Sequence, residues 1–149
     1  MTKKVMVLMG GFSAEREVSL QSGAGIAEAL RRKGYEVTTH DLSDTRQLLA
    51  ELGRSKPDVV FNALHGNWGE DGTVPALLDL LQIPYTHSGM QASCVGMNKY
   101  LCRLIAEKAG LKTAYGRKLS AREFITQGSP VPRRRFQNPL QRPGNRNPG

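Results

Sequence analysis

The chain has 149 residues and a formal net charge of +8, a length that suits about one domain with its own hydrophobic core. It has no apolar stretch long enough to cross a bilayer, and the short apolar run before Gly10 lacks the length and cleavage site of a signal peptide. Residues 129–149 hold five arginines and no acidic residue, so residues 1–128 carry only +3 and the charge indicates little about partners. We expect a cytoplasmic protein in which Cys94 and Cys102 stay as thiols.

Short apolar segments alternate with longer amphipathic ones along residues 1–118. Strands are predicted at residues 4–9, 35–41, 58–64 and 83–86. Helices are predicted from Glu15 or Glu17 to Arg32 and over residues 45–52, 74–81 and 98–109. This alternation predicts an α/β fold, a doubly wound parallel sheet of the Rossmann-like or flavodoxin-like kind.

The composition changes after this α/β segment. Residues 113–119 are a candidate strand that leaves the first domain, and Ser120–Gln127 is a predicted helix in which Ser120 and Glu123 form a capping box. Residues 129–149 contain five prolines and few apolar residues, so they cannot bury enough surface to offset the entropy of ordering. We therefore expect a domain at 1–118, a short helix at 119–128 and a disordered basic tail at 129–149.

The predicted turn after the first strand, Gly10–Ser13, and the two residues that lead into the next helix, Ala14 and Glu15, are together called loop 1. Gly10 and Gly11 allow a sharp turn and leave backbone amides accessible to a ligand. Glu15 and Glu17 lie in the first turn of the next helix, where carboxylates also stabilise the helix N-terminus without any further role.

Residues 65–72, called loop 2, follow the third predicted strand. The run is dense in glycine and charge, with a histidine, two adjacent carboxylates and a helix start after it: His65, Gly66, Gly69, Glu70, Asp71 and Gly72. One histidine and two neighbouring carboxylates do not make a convincing set of metal ligands, so no metal site is predicted. Both loops follow parallel strands and therefore lie at the sheet edge where α/β proteins bind ligands.

Four short runs together resemble the amino-terminal domain of the D-alanine–D-alanine ligases, members of the ATP-grasp superfamily. They are Ser13–Ser19, His65–Gly72, the Tyr85–Gly89 turn and Met97–Lys99. The similarity covers roughly residues 4–118. Three positions depart from the family pattern: Pro75 stands where glutamine, serine or alanine is usual, His87 replaces the glycine of a YTGSG turn, and Asn98 replaces the aspartate of an MDK motif.

The resemblance implies a role for each matching residue. Glu15 is the expected catalytic-site carboxylate that helps to hold the ammonium group of the first D-alanine, with Val18 near the substrate methyl and His65 beside the substrate. Lys99 is the expected contact to nucleotide phosphate. His65 as a hydrogen-bonded structural histidine and Lys99 as a solvated lysine remain alternatives. The remaining matches are expected to organise the loops: Gly10, Gly11, Gly66, Gly69, Glu70, Asp71 and Gly72.

The function implied by the resemblance is the ATP-dependent joining of two D-alanines for peptidoglycan synthesis, with ATP and Mg²⁺ as cofactors of the full-length enzymes. The central and carboxyl-terminal parts of the family are not recognisable here, and the chain departs from the family after about residue 128. We therefore expect a truncation or frameshift, no activity of the chain alone and little binding of ATP or Mg²⁺.

Two other functions remain open from the sequence. The domain can act as a non-catalytic module that forms homodimers or binds small anions. The arginine-rich tail can bind nucleic acid, but only weakly and without sequence preference, since it has charge but only one aromatic residue, Phe136. We expect neither a membrane partner nor a specific nucleic-acid partner.

Overall fold

The computed structural model describes residues 2–114, 116 and 118–127. It divides into two compact units, Met1–Lys112 and Thr113–Gly149. The elements of the first unit are β1 (Lys4–Gly10), α1 (Arg16–Arg32), β2 (Glu36–Leu42), α2 (Thr45–Ser55), β3 (Val59–Asn62), α3 (Thr73–Leu80), α4 (Met90–Met97) and α5 (Lys99–Lys108). The described part of the second unit contains α6 (Ala121–Gln127). No described helix is both long enough and apolar enough to span a membrane.

The three strands form one parallel sheet in the order β2-β1-β3. In the register, Val5 lies beside Val37 of β2 and Val59 of β3. A sheet in which β1 separates β2 from β3 has the flavodoxin-like order, whereas the Rossmann order places β4 beside β1. The predicted fold class is therefore confirmed, and the strand order decides between its two variants.

Helices cover both faces of the sheet. Alternate residues of β1 point to opposite faces, so β1 packs against helices on each side. Val7 packs with Ala27 of α1 on one face. On the other face, Met6 and Leu8 pack against α2 and α3 in a cluster that includes Leu42, Leu48, Leu52, Val60, Leu64, Val74 and Leu78. A strand buried on both sides, as β1 is, is typical of a doubly wound sheet.

Three sequence predictions need correction. The fourth strand is reduced to a single parallel bridge between Val60 and Tyr85. Pro84 has no amide hydrogen to extend the ladder on one side, and on the other side the Asn62 amide donates to Thr86 Oγ1 and not to a backbone carbonyl. None of the described residues in 113–119 belongs to a strand. Helix α4, which the sequence analysis did not predict, precedes α5, and neither of these helices has a buried residue.

Two predictions concern the carboxyl-terminal part of the chain. The capping box before α6 is confirmed, since the Glu123 amide donates to Ser120 Oγ and the Ser120 amide donates to Glu123 Oε2 over 2.7 Å. The predicted disordered tail at 129–149 lies outside the described residues.

Candidate functional site

Loop 1 turns on two glycines with left-handed backbone angles. Gly10 has a φ of 82° and Gly11 a φ of 88°, values that side chains rarely allow. A methyl group on Gly10 would lie 2.1 Å from Asp41 Oδ1, so only glycine allows the end of β2 to approach this closely. The predicted role of these glycines in shaping the loop therefore has a steric reason.

The buried hydroxyl of Ser19 joins the ends of β1 and β3. Ser19 Oγ accepts a hydrogen bond from the Gly10 amide at 2.9 Å and donates one to the Ala63 carbonyl at 2.7 Å. Its side chain has no solvent exposure. Loop 1 and loop 2 thus begin from strand ends that one side chain of α1 fixes together.

The first residue of α1 forms an ion pair with β2. The Arg16 guanidinium donates to both carboxylate oxygens of Asp41, at 2.7 and 2.6 Å. This hydrogen-bonded pair is the main reason that the pKa of Asp41 lies below its usual value and that of Arg16 above it. Glu15 directly precedes Arg16, so this ion pair holds the backbone beside Glu15, the residue whose carboxylate is expected to bind substrate.

The two carboxylates of loop 2 bind the loop's own backbone. Asp71 accepts hydrogen bonds from the amides of Trp68 and Thr73, both at 2.9 Å, and Glu70 accepts one from the Gly66 amide at 2.8 Å. Burial alone would raise the pKa of Asp71, but the backbone hydrogen bonds outweigh it and lower that pKa. Each carboxylate therefore has a visible structural function in loop 2.

Asn62, a buried asparagine at the end of β3 that was not predicted as a functional residue, holds loop 2 by hydrogen bonds to the backbone. Asn62 Nδ2 donates to the Gly69 carbonyl at 2.9 Å, and Asn62 Oδ1 accepts from the Leu64 amide at 3.2 Å. Asn62 has no solvent exposure. The signal was present in the sequence, because Asn62 interrupts the apolar run Val59–Leu64.

Loop 1 and loop 2 contact each other. A methyl group on Gly66 would lie 3.3 Å from Glu15 Oε2 and 3.0 Å from Ser13 Cβ. The rings of Phe12 and Trp68 meet edge to face, with their centroids 5.3 Å apart. The structure thus brings the Glu15 carboxylate next to the residue that follows His65.

The side chains expected to touch substrate are accessible. Glu15 is exposed, and Val18, one helical turn later, is 57% exposed. His65 is half-buried, and its imidazole takes part in none of the hydrogen bonds found among the described residues.

Lys99 lies in a cleft formed by loop 2, the Tyr85–Gly89 turn and α4, here called the α4 cleft. Its lining residues are Gly69, Glu70, His87, Ser88, Ala92, Ser93, Gly96, Met97 and Lys99. Loop 2 therefore borders two places: Gly66 lies near Glu15 of loop 1, whereas Gly69 and Glu70 line the α4 cleft with Lys99. Among residues 2–114, 116 and 118–127, no group of three histidine, cysteine, aspartate or glutamate side chains could hold a metal ion.

The family comparison covers the part of the chain that contains both loops. The family described as D-ala D-ala ligase N-terminus matches residues 4–56 and 43–88, which include both loops and all three strands of the sheet. The chain belongs to this family. The matched region ends before Lys99, so that residue rests on the resemblance of its short motif alone.

Individual relatives are similar over about three quarters of the chain. The D-alanine–D-alanine ligase of Parvibaculum lavamentivorans is 55% identical over 112 residues, which are 75% of this chain and 36% of that enzyme. The ligase of Rhodospirillum rubrum is 51% identical over 115 residues, 76% of this chain and 38% of the relative. A crystal structure of the Bacillus anthracis ligase superposes with a TM-score of 0.70 at 33% identity, covering 76% of this chain and 37% of that one. The chain thus spans less than half the length of the curated relatives it matches.

Proposed function

We propose that this chain supplies the binding surface for the first D-alanine of an ATP-dependent D-alanine–D-alanine ligase, which makes the dipeptide for peptidoglycan in the cytoplasm. The observation that carries the proposal is the contact between loop 1 and loop 2, which sets Glu15 Oε2 within 3.3 Å of the Cβ position of Gly66, beside His65. Membership of the family and the names of its relatives support the same function.

The chemistry of the loops suits a small amino acid. An ionised glutamate offers only acceptors and a negative charge, which match the three donors of an ammonium group. In the proposed complex, Glu15 holds the ammonium, Val18 borders the methyl group and His65 contacts the substrate from loop 2. The ion pair of Arg16 with Asp41 and the hydroxyl of Ser19 keep these groups in position.

ATP would supply the phosphoryl group that activates the carboxylate of the first D-alanine. One structure of the Bacillus anthracis ligase, with a TM-score of 0.67, is a complex with ATP. In this chain Lys99 is the residue proposed to contact phosphate. Mg²⁺ binds several oxygen ligands, and the described residues contain no cluster that fits it. We therefore propose that the chain alone binds D-alanine but does not catalyse the ligation.

A non-catalytic function as a dimerisation module is the second candidate. Four large apolar side chains of α5 are exposed: Tyr100 by 43%, Leu101 by 37%, Leu104 by 40% and Ile105 by 49%. Apolar surface of this kind favours association. Sedimentation equilibrium of the chain and of a Leu104→Glu variant tests it, because a dimer on this face would dissociate in the variant, whereas a monomeric wild type would rule it out.

The proposed function is tested by transplanting the domain. The segment of the Rhodospirillum rubrum ligase that aligns with this chain is replaced by the corresponding residues of this chain, and D-alanyl-D-alanine formation from ATP and D-alanine is measured. We expect the chimera to be active and its Glu15→Gln variant to lose most of its activity. The matched Glu17→Gln variant should stay active. A well-folded chimera without activity, or an active Glu15→Gln chimera, would contradict the proposal.

The inactivity of the chain alone needs a separate assay. Phosphate release from ATP is followed in the presence of D-alanine, Mg²⁺ and the 149-residue chain, and the dipeptide is measured in the same tubes. We expect neither product above the enzyme-free rate. Turnover would mean that this chain itself holds the residues for nucleotide and Mg²⁺.

A further inference from the structure

His87 has a backbone conformation that costs free energy for any residue except glycine. Its φ is 85°, in the left-handed region. Histidine visits this region more often than most residues but still uncommonly. The other non-glycine residues with positive φ among those described are Lys56, Trp68 and Gln82.

The chain on each side of His87 is fixed by hydrogen bonds that maintain this conformation. Before it, the Thr86 amide donates to the Val60 carbonyl at 3.0 Å, and Thr86 Oγ1 accepts from the Asn62 amide at 3.0 Å. After it, Ser93 Oγ donates to the Ser88 carbonyl at 3.1 Å. Strained residues persist where the surroundings determine their conformation, and they concentrate at ligand sites.

His87 lines the α4 cleft together with Lys99 and Glu70. The Glu70 carboxylate is engaged by the Gly66 amide at 2.8 Å. The side chains of His87 and Lys99, in contrast, make no hydrogen bond or ion pair with any described residue. The cleft has a volume of about 350 Å³, which is large enough for a chain of phosphate groups.

We propose that His87 is a binding residue for a phosphate oxyanion in the α4 cleft, where its imidazole adds a second nitrogen contact to that of Lys99. The inference rests on the proposed function for the assignment of Lys99 to phosphate, but it concerns a different residue. At this turn a glycine would adopt the positive φ without strain, but the chain has a histidine there and so places an imidazole at the cleft. The turn that it resembles has glycine at the same position, so such a turn would lack this contact.

The test uses inorganic tripolyphosphate as the probe and the complete 149-residue chain. Its dissociation constant is measured from ¹H–¹⁵N chemical shifts for the wild type and for His87→Gly, His87→Asn, Lys99→Ala and Gln82→Gly. Gln82 is the matched control, because it also has a positive φ, of 55°, but does not line the cleft. D-alanine is titrated separately, so that a carboxylate ligand is distinguished from a phosphate.

We expect both His87 variants to bind tripolyphosphate about two- to fivefold more weakly, a change typical of a solvent-accessible charged contact. Gln82→Gly should bind as the wild type does. Neither glycine variant should lower the unfolding midpoint, because each relieves a positive φ.

Three results would overturn the inference. Unchanged affinity in both His87 variants with weaker binding in Lys99→Ala would reject His87 while leaving Lys99 in place. No tripolyphosphate binding by the folded wild type would reject both residues. D-alanine shifts centred on His87 would show that the cleft takes the amino acid and not phosphate.

Discussion

Arg16 and Asp41 form a two-point ion pair that connects the start of α1 to the end of β2, with nitrogen–oxygen distances of 2.7 and 2.6 Å. Arg16 also donates to the Gly11 carbonyl, at 3.4 Å. The pair therefore holds loop 1 from the outside, while the Ser19 hydroxyl holds it from the buried side. In the chain, Glu15 lies between Gly10, which the Ser19 hydroxyl holds, and Arg16.

Asp41→Asn should lower the free energy of unfolding at neutral pH by a small amount, since both partners are partly exposed to solvent. The pKa of Asp41 is lowered in the folded state, so its contribution is present above the usual pKa and is lost as the pH falls through the lower, folded value. The difference between wild type and variant should therefore shrink in strong acid. Urea unfolding at several pH values measures this.

The Glu28–Arg32 pair on the outer surface of α1 is the matched control for Asp41→Asn. Glu28→Gln should leave stability almost unchanged, because an exposed pair between neighbouring turns contributes little. Equal effects of the two substitutions would mean that the Arg16–Asp41 pair has no special place in holding loop 1.

Ser19→Ala should destabilise the domain by about 1–3 kcal/mol, because it leaves the Gly10 amide and the Ala63 carbonyl without their buried partner. Ser22→Ala is the control, since Ser22 bonds only to carbonyls of its own helix, those of Val18 and Ser19. Thermal unfolding of both variants checks this. A smaller effect at Ser19 than at Ser22 would contradict the role assigned to Ser19.

Much of the fold could be predicted from the sequence, because apolar periodicity and glycine positions are local signals. The helix starting near Glu15 and the strand ending at Gly10 were predicted within a residue or two. Helix α4 was missed since it buries no residue and therefore has no apolar stripe to reveal it. The length of the fourth strand was overestimated. The segment pairs with β3 only at Val60, and Pro84 lacks the amide that a longer ladder would need.

The candidate site was only partly predictable for a different reason. Glu15 and His65 were identified by the motifs around them, and the parallel direction of the predicted strands placed their loops at one edge of the sheet. The contact that fixes loop 1 comes from Asp41, a residue distant in sequence, whereas Asn62, which fixes loop 2, lies shortly before that loop in the chain. A long-range partner such as Asp41 leaves no local pattern, but a polar residue in an apolar strand, such as Asn62, is a local signal of a structural role.

Gly72→Ala should be strongly destabilising, by about 2 kcal/mol or more, since Gly72 has a φ of 92° and a methyl group there would lie 2.6 Å from the Met90 carbonyl oxygen. Gly25→Ala should instead stabilise by about 0.5–1 kcal/mol, because Gly25 is an exposed helical position with no atom within 4 Å of the new methyl. Chemical denaturation compares the two. A tolerated Gly72→Ala would show that loop 2 can move away from α4.

Asp71→Ala should cost about 1–2 kcal/mol, because the amides of Trp68 and Thr73 lose the carboxylate that accepts from them. Hydrogen exchange of these two amides should rise in the variant more than exchange in β1. Uniformly faster exchange across the sheet would instead mean that Asp71 supports the whole domain and not loop 2 in particular.

The most direct test of the central claim, that loop 1 and loop 2 form one D-alanine site, is a D-alanine titration of the 149-residue chain followed by ¹H–¹⁵N chemical shifts. We expect saturable shifts in residues 11–18 and 65–72 together. Affinity should fall at least about tenfold in Glu15→Gln, as for a charged hydrogen bond, and stay unchanged in Glu17→Gln. Shifts confined to one loop, or equal affinities of wild type and Glu15→Gln, would contradict the account.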